Sequence, residues 1–190
     1  MAEVENTASA LQEYKYANSK HLIFNLDGRI EEPEKYREFF RAAEVAGEDD
    51  RITLMINSGG GRVDSLIQIL SVLELTKAET ECNVFYAASA ATFIALACDN
   101  IMFAEHSYMM FHNIQAGHVG DTCTGERYYT FLNSLSEKLM DKYYAPVLTK
   151  KERKELSQGD VEIYKHGEEV LSKILAHNKR KEKANKDEAK

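Results

Sequence analysis

Long apolar runs are missing from this sequence of 190 residues. No stretch approaches the roughly 20 unbroken apolar residues that a membrane-spanning helix needs. The longest candidate, residues 84–98, is interrupted by Tyr86, Ser89 and Thr92 and closes at Asp99. Tryptophan is absent, proline occurs twice and cysteine three times. Cys82, Cys98 and Cys123 are odd in number and widely spaced, which gives neither a disulfide framework nor a zinc pattern. They are expected to be reduced, with Cys98 as small apolar core filler. The first residues carry Glu3, Glu5 and Glu13 without an apolar stretch, so no secretory signal is expected and the cytoplasm is the expected compartment.

Basic excess is missing too. The formal net charge is −7, and the last fourteen residues, from His177, hold six Lys/Arg against three Asp/Glu. That leaves −10 on the rest of the chain. An acidic body lacks the concentrated positive face that phosphate binding needs, which argues against nucleic acid as a partner. The charged segment 177–190 is expected to be a solvated, disordered tail.

What remains is a composition of 44% hydrophobic and 29% charged residues, enough for one domain with a sizeable core. Residues 1–20 read as an N-terminal arm or short helix. His21–Leu26 is a compact apolar run closed by Asp27-Gly28, a strand and a turn. Pro33 suits the first turn of a helix, and Tyr36, Phe39, Phe40 and Ala43 repeat at helical spacing up to Gly47. Ile52–Ile56 is a second strand, breaking into Asn57-Ser58-Gly59-Gly60-Gly61 before a helix carrying Leu66, Ile69, Leu70 and Leu73. Val84–Tyr86 is a third strand, followed by a helix of small residues over 89–97. Asn100–Ala104 and Tyr108–Phe111 are two further strands. A glycine-containing loop over 115–125 leads to a long helix over 126–144, with Tyr128, Phe131, Leu132, Leu135, Leu139 and Tyr143 on one side. Short helices are expected over 150–156 and 168–177. Strands alternating with helices predict an α/β domain with a largely parallel sheet.

In such a sheet, functional groups collect where strands run into helices. Two such junctions stand out. The glycines 59–61 let backbone approach a ligand closely and could hold an oxyanion; the competing reading is a plain flexible turn. No P-loop pattern accompanies them. Ser89 is flanked by Ala87-Ala88 and Ala90-Ala91, the small neighbours a nucleophile elbow demands; the competing reading is a serine N-cap. Among six histidines, His112 closes the apolar strand 108–111, while His106 and His118 are nearby alternatives that spacing does not remove. Periodicity does not single out a carboxylate among 31 acids.

Four segments, in this order and spacing, resemble the proteolytic subunit of the Clp protease. Residues 23–28 (IFNLDG) are similar to that family's IFLTG strand and 56–61 (INSGGG) to its INSPGG. Ala87-Ala88-Ser89 is similar to AASMGA, and Met110-Phe111-His112-Asn113 to MIHQP. The resemblance runs from about residue 23 to 175. It implies the Clp/crotonase fold, with repeated β-β-α units and a long protruding helix, here 126–144, and a domain spanning 21–176. It implies a serine endopeptidase with Ser89 as nucleophile, His112 as general base and Asp160 as orienting acid, Asp141 and Glu162 being the other acids considered. Gly61 and Ala90 would supply oxyanion N–H groups, and Gly60, Gln115, Ala116 and Gly117 would bind substrate.

The same resemblance implies no metal and no cofactor. The implied partners are copies of the chain in heptameric rings stacked into a tetradecamer, a possible AAA+ unfoldase, and peptide or protein substrates. The chain departs from the family pattern at several points. Gly59 stands for proline, Ala90-Ala91 for Met-Gly and Phe85-Tyr86 for Gly-Gln, and the N-terminal segment does not read like the family's axial loop. These mark a divergent member, with a phage origin as one reading. Two rival functions belong to the same fold, a crotonase-type acyl-CoA enzyme and a catalytically inactive ring subunit.

Overall fold

The computed structural model describes residues 11–16, 19–159 and 161–188. One six-stranded sheet organises them, in the order β1-β2-β3-β4-β5-β6. The strands are β1 (Leu11–Lys15), β2 (Lys20–Ile30), β3 (Arg51–Gly61), β4 (Glu79–Ala88), β5 (Asn100–Phe111) and β6 (Ile163–His166). Strands β2 to β5 are parallel neighbours, and β1 and β6 close the two edges antiparallel. Helices α1 (Arg37–Glu44), α2 (Val63–Leu75) and α3 (Ala90–Ala97) follow β2, β3 and β4. Beyond β5 come α4 (Thr122–Leu139), α5 (Lys150–Gln158) and α6 (Gly167–Glu188). The α/β fold expected from the alternating pattern is the one observed.

The central strands are apolar because helices cover them. Leu22, Phe24 and Leu26 of β2, Ile52, Leu54 and Ile56 of β3, and Cys82 and Val84 of β4 are buried, the near-continuous apolar reading typical of parallel strands. Cys82 is thus a core residue, while Cys98 is half-buried at the end of α3. Helix α1 presents Phe39, Phe40 and Ala43 inward, and Phe39 stacks on Phe24 at 4.4 Å between ring centres.

Several expected boundaries move. Leu11–Lys15 is neither helix nor free arm but an edge strand paired with β2. Asp27-Gly28 does not end β2; the strand continues past a bulge between Gly28 and Arg29. The triple glycine belongs to β3 itself, which runs on to Gly61 beside Ile30. The two strands expected over 100–111 are one, β5, in which residues between Phe103 and Tyr108 bulge out of the ladder with β4. The long helix begins earlier, at Thr122, where Asp121 caps it by accepting from the Thr124 N–H at 2.9 Å, and it closes in a wider π-turn over Met140–Tyr144.

The segment expected as a disordered tail is the second half of α6, helical to Glu188. Lys, Glu, Arg and Ala are strong helix formers, and extending a helix already seeded by packing costs far less than nucleating one. The four-residue β6 was not anticipated at all. No helix among the described residues is long and apolar enough to cross a membrane.

Candidate active site

Ser89 sits between the last residue of β4 and the first of α3, with φ 55° and ψ −125°. Among the described residues it is the single non-glycine with positive φ. A strained turn of this kind costs about 1–3 kcal/mol and persists only where the surroundings hold it. The surroundings here are specific. Its N–H donates to the Met110 carbonyl on β5 at 2.9 Å. Its carbonyl accepts from the Thr92 N–H at 3.0 Å and from the Thr92 hydroxyl at 2.6 Å. Although Ser89 occupies the N-cap position of α3, its side chain makes no capping hydrogen bond. The N-cap reading is therefore not the observed one.

Behind this turn stands Tyr144, fully buried. Its hydroxyl lies 2.6 Å from the Thr92 hydroxyl, which already donates to Ser89, so Tyr144 is the donor. Its ring stacks on Phe93 of α3 at 4.2 Å and meets Phe111 of β5 edge-on at 5.0 Å. One side chain thus braces the helix after Ser89 and the strand before His112. Burial pushes its phenol well above the ordinary tyrosine range, with the Thr92 bond acting the other way. Neither Thr92 nor Tyr144 is singled out by the sequence, where Tyr144 marks only the end of the long helix, beside the apolar side that closes at Tyr143.

The glycines of β3 face the same turn. Gly60 has φ 84°, and a Cβ there would lie 2.6 Å from the Ala88 carbonyl oxygen, 2.7 Å from the Ser89 Cβ and 2.9 Å from the Ala90 nitrogen. No side chain fits. A Cβ on Gly61 would run into the Ile30 backbone. The Arg62 N–H donates to Ile30 at 3.0 Å. Ser58 fixes this loop by donating to the Gly28 carbonyl at 2.6 Å and accepting from the Gly60 N–H at 3.1 Å.

A cleft of about 510 Å³ opens over these elements. Ser89, Ala90, Gly60, Gly61, His112 and Gln115 all line it, together with Arg29, Met110 and Glu162. His112 is the one histidine of six on its wall. His21 lies 2.7 Å from the Thr53 hydroxyl near the start of β2, and His118 packs against Tyr128 of α4. Ala116 and Gly117 are exposed and do not line the cleft, and a Cβ on Gly117 would meet open space. The loop after His112 is tied down by Asn113, whose Oδ1 accepts from the Ser136 hydroxyl on α4 at 2.6 Å and from the Ile114 N–H at 2.8 Å.

Asp160 lies outside the described residues. Of the other acids, Asp141 does not line this cleft and pairs with Arg153 at 3.4 Å. Glu162 lies on the cleft wall and accepts from the Tyr164 hydroxyl at 2.5 Å. Among the described residues no group of three or more His, Cys, Asp or Glu gathers as a metal site would require.

Comparison with known proteins agrees with this architecture. The model of the family described as Clp protease matches residues 16–178. A segment of 77 residues is 39% identical to an uncharacterized protein, MJ0137, of Methanocaldococcus jannaschii, covering 40% of this chain and 27% of that protein. The chain thus spans about a quarter of the length of that relative. The family match takes in most of the chain and the whole of the cleft just described, and the chain belongs to the Clp protease family.

Proposed function

We propose that this chain is a serine endopeptidase acting within a ring-shaped oligomer of its own copies. The observation that carries the reading is the Ser89 turn. A serine is held at a positive φ, leaves its hydroxyl out of helix capping, and shares one cleft with His112 and the backbone of Gly60 and Gly61.

In this mechanism the Ser89 Oγ attacks the scissile carbonyl while His112 accepts its proton. The tetrahedral intermediate collapses as His112 returns that proton to the leaving amine, and water repeats the sequence on the acyl-enzyme. Asp160 orients the His112 ring. The N–H groups of Gly61 and of Ala90, the first residue of α3, hold the oxyanion, a contribution of roughly 3–4 kcal/mol per donor in serine peptidases. Gly60 and Gln115, which line the cleft, bind the peptide backbone on either side. The family membership supports stacked rings, with α4 between them, as the assembly, heptameric in the form proposed.

A fluorophosphonate probe tests this directly. Labelling of Ser89 in the assembled protein is expected, together with hydrolysis of a chromogenic peptide, both lost in Ser89→Ala and reduced at least a hundredfold in His112→Ala. An assembled wild-type protein that neither labels at Ser89 nor cleaves peptide would overturn the reading.

A further inference from the structure

At the edge of the cleft, where the family carries Gly-Gln, this chain carries Phe85-Tyr86. The Tyr86 ring lies against the cleft residue Gly59, where a Cβ would stand 3.9 Å from both its Cε1 and its hydroxyl oxygen. Tyr86 pairs with Tyr108 across β4 and β5, and their ring centres are 4.8 Å apart. Tyr108 stands opposite His166 in the antiparallel β5–β6 ladder, so Tyr164, two residues before His166, projects from the same face. Tyr108 and Tyr164 are 41% and 60% exposed, so both rings are open to a ligand. Tyr164 in turn donates to Glu162, which lies on the cleft wall. Three phenol rings on three adjacent strands therefore form a shelf continuous with the cleft and ended by a carboxylate.

We infer that Tyr86, Tyr108, Tyr164 and Glu162 form a subsite beside Ser89 that takes a lysine or arginine side chain of an extended peptide. The inference rests on the peptidase reading for the identity of the ligand as a peptide. The chemistry is that of a cation recognised by aromatic faces and a carboxylate, with the aliphatic stem of the residue lying on the rings. Glu162 keeps acceptor capacity for it, because an ionised carboxylate has about four lone-pair sites and Tyr164 uses one. The opposite wall carries Arg29, on β2, three strands away from β5. The cleft is thus positive on one side and negative on the other. A basic residue is favoured only on the β6 side, so the preference also sets the direction in which a peptide lies.

The test uses the full chain carrying Ser89→Ala, so that binding is read without turnover. Fluorescent peptides identical except for a central lysine, norleucine or glutamate are titrated by anisotropy. The lysine peptide is expected to bind about fivefold or more tighter than the norleucine peptide, with glutamate weakest. Adding Glu162→Gln should bring lysine and norleucine within about twofold, and adding Tyr86→Gln should narrow the gap while thermal melting confirms folding. Equal binding of lysine and norleucine, no binding of the lysine peptide at millimolar concentration, or a Glu162→Gln loss common to all three peptides would each overturn the subsite. Wild-type hydrolysis of the same peptides separates the two ideas. Cleavage without lysine preference removes the subsite alone, and lysine-selective binding without cleavage or Ser89 labelling removes the peptidase reading alone.

Discussion

Gly60 and Ser89 touch in a way that leaves no room for a side chain between them: a Cβ on Gly60 would stand 2.7 Å from that of Ser89. The same imagined atom would press on the Ala88 carbonyl and the Ala90 nitrogen, all backbone or near-backbone groups that cannot swing aside. The strained serine turn and the glycine strand are therefore one device.

Gly60→Ala is expected to displace the Ser89 turn, lowering kcat/KM at least a hundredfold and destabilising the fold by roughly 1–3 kcal/mol. Gly59→Ala is the control, since its Cβ would meet only the Tyr86 ring at ordinary contact distance, 3.9 Å. Peptide hydrolysis and denaturant unfolding of both variants check the contrast; equal behaviour would separate Gly60 from the turn.

Ser89→Gly should raise stability while removing activity. Glycine adopts positive φ freely, so the variant sheds strain worth about 1–3 kcal/mol, partly offset by roughly 0.5–1 kcal/mol of added freedom in the unfolded chain. Ser89→Ala keeps the strain and should melt close to the wild type. A higher denaturation midpoint for glycine than for alanine is the expected result.

Tyr144→Phe removes one buried hydroxyl from the chain that runs from Tyr144 through Thr92 to the Ser89 carbonyl, at a cost of about 1 kcal/mol. Thr92→Val leaves the buried Tyr144 hydroxyl without its acceptor and the Ser89 carbonyl with the Thr92 N–H alone, and should cost more, about 2 kcal/mol or above, with a fall in kcat. Unfolding curves of the two variants give the order directly.

Lys165 on β6 is buried between Glu152 of α5 at 2.8 Å and Glu169 of α6 at 3.0 Å, and it joins these three elements. Burial by itself would raise the Glu152 pKa from its ordinary 4.5, but the Lys165 ammonium and the Thr149 cap outweigh it and bring it down to about 2. A carboxylate depressed in the folded state contributes stability that is complete above its unfolded pKa and is lost as pH falls through the folded one. Wild type is therefore expected to lose on the order of 2–3 kcal/mol between about pH 5 and pH 2 that Glu152→Gln does not lose. At neutral pH that variant should be the less stable by a similar amount. Parallel thermal melts against pH test the difference.

Much of the fold could be read directly from periodicity. Phe39, Phe40 and Ala43 face the core as their spacing requires, and the apolar runs of β2, β3 and β4 are buried strands. Element ends were less legible, because a ladder partner extends a strand past its apolar stretch, as Ile30 does for Gly61. Strand β6 was invisible for the same kind of reason: Lys165 reads as solvated until two acids from other helices surround it.

Local sequence, then, determined that Ser89 has small neighbours, that glycines follow an apolar strand, and that His112 ends another. These are consequences of side-chain size and alternation, which act over a few residues. Which histidine meets the serine cleft, why Gly60 must be glycine, and that Tyr144 braces both the helix after Ser89 and the strand before His112 are decided only by tertiary structure. Each depends on contacts between residues tens of positions apart, and only the packed sheet brings them within a few ångströms.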